Sequence, residues 1–225
     1  MSSSGDNKKT DEIGPSLLPP EKAVSEDIAT TGYQKRFLKL IIIQAPIIAW
    51  SIYFVSTKML LSQASLDLLN VKVEFLQKYE LQYLYISIYM IYLARLALVT
   101  NVNGARGPTR LDRPDQHIYQ VVGSKDLVLM ASDGVYGRFN RAQRGILNMD
   151  EGLPLFLTST LLVAPVFGQV ACFFLVPLYA YGRIKMGFDY KESKKVRLGG
   201  FMFAMIAEHG MFAFVGLIVF KIFFG

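Results

Sequence analysis

Residues 152–182, GLPLFLTSTLLVAPVFGQVACFFLVPLYAYG, form an uninterrupted stretch without a charged residue. A helix needs about 20 mainly apolar residues to cross a bilayer, so this stretch is too long for one ordinary span. Near its middle, PVFGQ at 165–169 places a proline and a glycine close together, which favours a tight hairpin. The stretch therefore predicts two antiparallel spans, near residues 145–166 and 170–189.

Three further stretches are almost as apolar and extend the same reasoning to the rest of the chain. They are residues 37–57 with Lys39, 81–100 with Arg95, and 198–220 with Glu208 and His209. In hydrocarbon only helices and closed barrels satisfy their own backbone, and these stretches lack the alternation of barrel strands. With 52% hydrophobic residues and a mean hydropathy of +0.32, the sequence predicts an all-α membrane protein with five spans.

The net charge of +6 bears on both partners and topology. In a soluble chain it would suggest nucleic acid, but here the lysines and arginines collect in the tail and in two segments, 101–144 and 185–197. Five spans with a cytoplasmic N-terminus place all three regions on one side, as the positive-inside rule requires. We therefore expect an integral membrane protein with its N-terminus on the cytoplasmic side and no nucleic-acid partner.

Composition divides the chain into three parts. Residues 1–32 are polar and predict a disordered tail. Residues 33–79 predict an additional transmembrane helix, followed by an amphipathic segment that lies in the membrane interface. Residues 80–225 hold the other four spans and a polar connector, in which the stretch 121–130 gives no clear assignment. The single cysteine excludes an intrachain disulfide, and no cluster of residues predicts a metal site.

The entry to the third predicted span carries Arg144, Asn148 and Glu151, which share one helical face at i, i+4 and i+7. Arginine grips a carboxylate with two hydrogen bonds, asparagine offers a donor and an acceptor, and glutamate accepts from an ammonium group. Polar residues at membrane depth are functional candidates, so this stripe predicts a small zwitterionic or anionic ligand. The alternative is a helix end whose charges reach the interface and pair with each other.

A second polar cluster ends the fourth predicted span. Arg183, Tyr190 and Arg197 are spaced by sevens and form one stripe if the helix continues that far. Only the short hairpin separates the third span from the fourth, so both clusters reach the same side of the membrane. Two polar stripes at one depth on neighbouring helices predict a pocket.

A longer motif passes through both clusters. It reads Phe139-Asn140-x-x-Gln143-Arg144-x-x-x-Asn148-x-x-Glu151-x-x-Pro154-x-Phe156-Leu157, followed by Gly182-Arg183, Tyr190 and Lys194-Lys195-x-Arg197. In these residues the sequence resembles the membrane-associated proteins in eicosanoid and glutathione metabolism (MAPEG), most closely their microsomal glutathione transferase 3-like branch. The resemblance covers roughly residues 80–225 and implies a MAPEG-type four-helix bundle, to which the N-terminal transmembrane helix is an addition.

The resemblance implies a glutathione-dependent transferase or peroxidase that acts on lipophilic electrophiles or lipid hydroperoxides. Glutathione would be a co-substrate bound between subunits of a homotrimer, and the lipophilic molecule would arrive from membrane lipid in the endoplasmic reticulum or a mitochondrial membrane. Carried over by position, the glutathione-binding residues would be Arg144, Asn148, Glu151, Arg183 and Tyr190. Arg197 would be catalytic, because an adjacent guanidinium favours the thiolate, which is the nucleophile. Lys194 or Lys195 is the alternative for that role.

The chain departs from the family pattern at three positions. Met186 stands where catalytic relatives often have tyrosine, Gly152 replaces a larger side chain, and Asn140 stands where glutamate is expected. Together with the additional N-terminal helix, these departures leave a second possibility open. It is a non-catalytic accessory subunit of a larger membrane protein complex, with other membrane subunits as partners.

Two charges inside the predicted spans have two interpretations each. Glu208, with the adjacent His209, predicts either a proton or ligand site, or a hydrogen-bonded contact between helices. Arg95 predicts either a contact with glutathione held by a neighbouring subunit, or a side chain that extends to the interface.

Overall fold

The computed structural model describes residues 35–36, 38–109, 117–122 and 127–225. Six helices make up most of these residues: α1 Leu40–Leu60, α2 Gln63–Lys78, α3 Gln82–Arg106, α4 Gly134–Val170, α5 Val176–Glu192 and α6 Leu198–Phe224. Two short strands, β1 Tyr119–Val122 and β2 Leu127–Met130, lie between α3 and α4. The predicted tail at residues 1–32 lies outside the described residues.

Within the described part of the chain, four helical segments are long and apolar enough to cross a membrane: Leu40–Leu60, Gln82–Thr109, Gly134–Glu192 and Leu198–Phe224. Such segments in one chain define an integral membrane protein of mainly helical fold, as the sequence predicts. The third segment, at 59 residues, is far longer than a bilayer requires.

That third segment folds back on itself. Phe167 has φ −127° and ψ 47°, outside the helical region, so the helix breaks there. The chain reverses direction at the break. The stacked rings of Phe156 and Tyr179, one on each arm, have centroids 3.7 Å apart, so the two arms lie side by side. The tight hairpin predicted at residues 165–169 is thereby confirmed, and the two arms give two of the five predicted spans.

Small residues bring the helices close together. A Cβ atom built on Gly145 of α4 would lie 2.9 Å from Cα of Gly187 on α5, and one built on Gly182 of α5 would lie 2.8 Å from the carbonyl oxygen of Gly200 on α6. Such close backbone approach is the usual basis of helix association in lipid, where burial of apolar surface gives little driving force. The core between α3, α4, α5 and α6 is filled by buried side chains that include Phe139, Met149, Phe156 and Tyr179.

The first two helices contribute nothing to that core. No residue of α1 is buried, although it is a membrane-length apolar helix. Helix α2 begins with Ser62, whose hydroxyl accepts a hydrogen bond from the Ser65 backbone at 3.3 Å, and it also buries no residue. Its location in the membrane interface stays a prediction.

The connector before α4 contains a β-hairpin, in the stretch that the sequence left unassigned. Strands β1 and β2 pair antiparallel, with Tyr119 opposite Met130. Asn140 on α4 fastens the base of the hairpin: its amide accepts from the Ile118 backbone at 2.9 Å and donates to the carbonyls of Ile118 and Ala131, each at 2.8 Å. A two-stranded sheet on its own is at best marginally stable. The three hydrogen bonds of Asn140 therefore supply support that additional strands would otherwise give.

Candidate functional site

Both predicted polar clusters lie at the same end of the bundle. At this end α3 stops, α4 starts, α5 stops and α6 starts. The guanidinium of Arg106 at the end of α3 lies 4.7 Å from the ring centroid of Phe139 on α4, and Asn101 donates to the Gly187 carbonyl of α5 at 3.1 Å. The two clusters therefore lie at one end of the bundle, and a pocket shared by them stays a prediction.

The first cluster lies on an exposed face of α4. Nη1 of Arg144 is 3.0 Å from Oε1 of Glu151, and their side chains are 48% and 57% exposed. Asn148, between them on the same face, is half-buried, and its side chain makes no hydrogen bond with any described residue. This ion pair is what we expect for a helix end whose charges pair with each other, the alternative interpretation of the stripe. All three side chains are nevertheless at least partly exposed and therefore accessible.

The second cluster is not one helical stripe. Helix α5 ends at Glu192, where Ser193 is extended, and Arg197 immediately precedes α6. Arg197 nevertheless returns to Tyr190, with its guanidinium carbon 5.6 Å from the ring centroid. A cation over an aromatic face is favourable, so this contact orients an exposed arginine at the basic end of the bundle.

Arg183 points into the bundle instead. Its Nη2 donates to Oε2 of Glu208 on α6 at 2.9 Å, and the side chains are only 6% and 13% exposed. The guanidinium also lies 5.0 Å from the ring centroid of Tyr179. The interpretation of Glu208 as a contact between helices is confirmed, and Arg183 does not join Arg144 within one chain.

Gly152 makes room for this buried pair. A Cβ atom on Gly152 would lie 3.1 Å from Nη2 of Arg183 and 3.5 Å from Oε1 of Glu208. A larger side chain at this position would therefore push against both charges. The glycine that departs from the family pattern is thus explained by the ion pair that it borders.

Arg95 also forms an ion pair, and its partner Asp150 was not among the residues predicted from the sequence. Arg95 on α3 donates to both carboxylate oxygens of Asp150 on α4, at 2.8 and 3.1 Å. Arg95 is therefore held by its own chain, and its predicted contact with glutathione would require this pair to open. The sequence did contain a signal for this pair. Asp150 is a carboxylate at membrane depth, next to Glu151, and such a group needs a partner.

Further ion pairs close the basic end of the bundle. Arg138 donates to both oxygens of Glu192, at 3.0 and 2.6 Å, and Arg141 donates to the carbonyls of Lys191 and Ser132. These arginines tie the start of α4 to the end of α5 and to the hairpin base. The hydroxyl of Ser132, followed by the nearby Lys194 ammonium, lowers the pKa of the Asp133 carboxyl.

The other two departures also have structural roles. Asn140 needs both its donor and its acceptor to hold the hairpin, which a glutamate carboxylate cannot provide. Met186 is buried, and its backbone lies against Gly200 of α6. A hydroxyl at position 186 would therefore have to be satisfied inside the bundle.

Comparison with known proteins adds no assignment. No protein-family model matches the chain, and no curated protein matches it. Within the described ranges, no three histidine, cysteine, aspartate or glutamate residues lie close enough together to hold a metal ion. Fold and site together define a helical integral membrane protein with exposed arginines and exposed glutamates at its basic end.

Proposed function

We propose that this protein is a MAPEG-type glutathione-dependent transferase or peroxidase acting on lipophilic electrophiles or lipid hydroperoxides in the membrane. The observation that carries the proposal is the exposure of Arg144 and Glu151, with half-buried Asn148 between them, at the same end of the bundle as Arg197. Glutathione offers two carboxylates, an ammonium and a thiol, which match a guanidinium, a carboxylate and an amide.

The Arg144–Glu151 pair is suited to opening for such a ligand. Both side chains are about half exposed, and exposed pairs contribute at most about 1 kcal/mol. A glutathione carboxylate on Arg144 and its ammonium on Glu151 would exchange one such pair for two. Asn148, which has no partner among the described side chains, would contribute an amide hydrogen bond.

Arg197 would stabilise the thiolate. Its guanidinium stays charged at every physiological pH, so the glutathione proton leaves to solvent and the anion remains beside a cation. In the transferase reaction the sulfur attacks the electrophilic carbon and the leaving group departs with its electron pair. In the peroxidase reaction the sulfur attacks the hydroperoxide oxygen, giving alcohol and sulfenic acid. A second glutathione then yields the disulfide and water.

A homotrimer would complete the site. Arg144 and Arg197 make no contact with each other in the described chain, and Arg183 is engaged by Glu208. We therefore place glutathione between neighbouring subunits, with Arg144, Asn148 and Glu151 from one and Tyr190 and Arg197 from the next. Arg183 would take part only by releasing Glu208. The exposed apolar side chains of Phe188 and Leu198 offer the lipid-facing approach for the second substrate.

Turnover by the purified protein tests this proposal. The full chain in detergent should conjugate a chloronitrobenzene-type electrophile or reduce a lipid hydroperoxide with glutathione. Arg197→Ala should lower kcat by roughly 10- to 100-fold, the equivalent of one charged hydrogen bond of about 1.5–3 kcal/mol. Lys195→Ala removes an exposed cation from the same turn and tests the alternative thiolate partner; it should retain most activity if Arg197 has that role. Absence of turnover together with absence of glutathione binding would reject the proposal.

One observation favours the non-catalytic alternative. Helix α1 spans a membrane length without burying a residue in its own chain, so the bundle does not need it for packing. An accessory subunit would use this helix to contact other membrane subunits. Stoichiometric co-purification of such partners in mild detergent, lost when residues 1–60 are deleted, would support this function over the enzymatic one.

A further inference from the structure

One face of the connector hairpin exposes three large apolar side chains, whereas the other exposes Leu129 opposite Gln120. Tyr119 and Met130 are directly opposed in the register, and Val128 lies two residues before Met130, so all three share one side of the hairpin. Their exposures are 54%, 42% and 58%. A two-stranded hairpin has no second layer to cover such a face, and an exposed apolar face in a fixed position indicates an interaction surface.

The base of this hairpin is fixed to the membrane-spanning bundle. Ile118 and Ala131 at its base are buried, joined to each other by a 2.8 Å backbone hydrogen bond, and both are bonded to Asn140. Asn140 belongs to the second turn of the Gly134–Glu192 segment, whose later residues cross the membrane. The hairpin is thus held close to the level at which α4 enters the lipid.

Cations border the hairpin at that level. Lys194 lies 3.9 Å from Asp133, which immediately follows the hairpin base, and Lys194, Lys195 and Arg197 are all exposed. Exposed Val196 and Leu198 alternate with them. Mixed basic and apolar side chains at the membrane surface complement anionic phospholipid headgroups and the acyl chains below them.

We propose that the β-hairpin lies flat on the leaflet at the basic end, with the Tyr119–Val128–Met130 face in the interface. Anionic phospholipid headgroups then contact the Lys194–Arg197 turn. The sequence between the two strands, GSKD at 123–126, carries two charges, which disfavours burial of this segment in lipid. Tyrosine is enriched at this depth of a bilayer, which fits Tyr119 on the apolar face. This inference does not depend on glutathione chemistry.

Single-cysteine spin labelling of the full chain in nanodiscs tests the proposal. Cys172 is the only cysteine, so Cys172→Ser supplies the background for Val128→Cys on the apolar face. Gln120→Cys, on the opposite face and also exposed, is the matched control, and Met130→Cys is a second test position. We expect labels at 128 and 130 to be accessible to oxygen and protected from a water-soluble nickel chelate. The label at 120 should show the reverse.

Two results would overturn the proposal. One is equal exposure of all three labels to the nickel chelate, which would place the hairpin in water. The other is protection from both reagents, which would mean that protein and not lipid covers the face.

The contact with anionic headgroups is tested by comparing phosphatidylserine nanodiscs with phosphatidylcholine nanodiscs. Protection at 128 should increase several-fold with phosphatidylserine and lose that increase in Lys194→Gln/Lys195→Gln. If protection at 128 depends on neither phosphatidylserine nor the two lysines, anionic headgroups do not contact the Lys194–Arg197 turn.

Discussion

Arg183 on α5 and Glu208 on α6 form a buried ion pair, with 2.9 Å between Nη2 and Oε2. The pair lies next to the contact in which Gly182 and Gly200 bring these helices together. In a bundle surrounded by lipid, removal of one member leaves the other charge buried without a counterion, so the pair is expected to hold α5 and α6 in one arrangement.

Glu208→Ala should therefore destabilise the protein by roughly 3–5 kcal/mol, the usual cost of an uncompensated buried charge. The measurement is reversible unfolding of the detergent-solubilised chain, followed by circular dichroism. His209→Ala is the matched control, because His209 is exposed and its ring makes a hydrogen bond with the Met205 carbonyl of its own helix. The double variant Arg183→Met/Glu208→Leu should recover most of the loss. Equal stability of the Glu208 and His209 variants would contradict this role.

Substitution at Gly152 tests whether that glycine is kept small by the ion pair. Gly152→Leu should destabilise the chain by about 1–3 kcal/mol, because its side chain overpacks the space beside Arg183 and Glu208. In a Glu208→Ala background the same substitution should cost clearly less, since the carboxylate is gone. Gly216→Leu is the control, because nothing lies within 4 Å of a Cβ atom at Gly216. A cost at Gly152 that is independent of Glu208 would show that a different contact restricts this position.

Asn140 gives a prediction about local rather than global order. Asn140→Ala removes all three hydrogen bonds that hold the base of the hairpin, so cleavage near residues 123–126 by limited proteolysis should become at least about tenfold faster. The helical circular dichroism signal should change little, because strand residues 119, 120 and 128–130 are exposed and only Ile118 and Ala131 at the hairpin base reach the core. Gln120→Ala, a substitution of an exposed hairpin residue, should leave the cleavage rate unchanged. Unchanged cleavage of the Asn140 variant would mean that the hairpin does not depend on this side chain.

Local signals in the sequence were sufficient for most of the fold. Uncharged runs of membrane length predict spans, and a proline and glycine inside one run predict the turn at Phe167. The Arg144–Glu151 pair is equally local, since helical spacing alone places both on one face. What these features share is that the interacting residues are neighbours along the chain.

Contacts between distant segments could not be predicted in this way. Asp150 meets Arg95, and Asn140 meets Ile118, only after the helices pack, and no spacing rule connects them. The seven-residue spacing of Tyr190 and Arg197 predicts one continuous helical stripe, and this prediction is wrong. Helix α5 ends at Glu192, and a turn separates the two residues. A polar segment such as Lys-Glu-Ser-Lys-Lys suits a helix end as well as a helix continuation.

Glutathione binding at equilibrium tests the central claim most directly. Isothermal calorimetry on the full chain in nanodiscs should give saturable binding, which Arg144→Ala weakens by roughly 10- to 100-fold through loss of a charged hydrogen bond. Lys221→Ala should bind within about twofold of wild type, because this exposed cation lies in the last turn of α6, away from the site, and contributes little. The thiolate absorbance of bound glutathione should persist to lower pH in wild type than in Arg197→Ala, since the guanidinium lowers the thiol pKa. No saturable binding, or binding that is indifferent to Arg144, would contradict the proposed site.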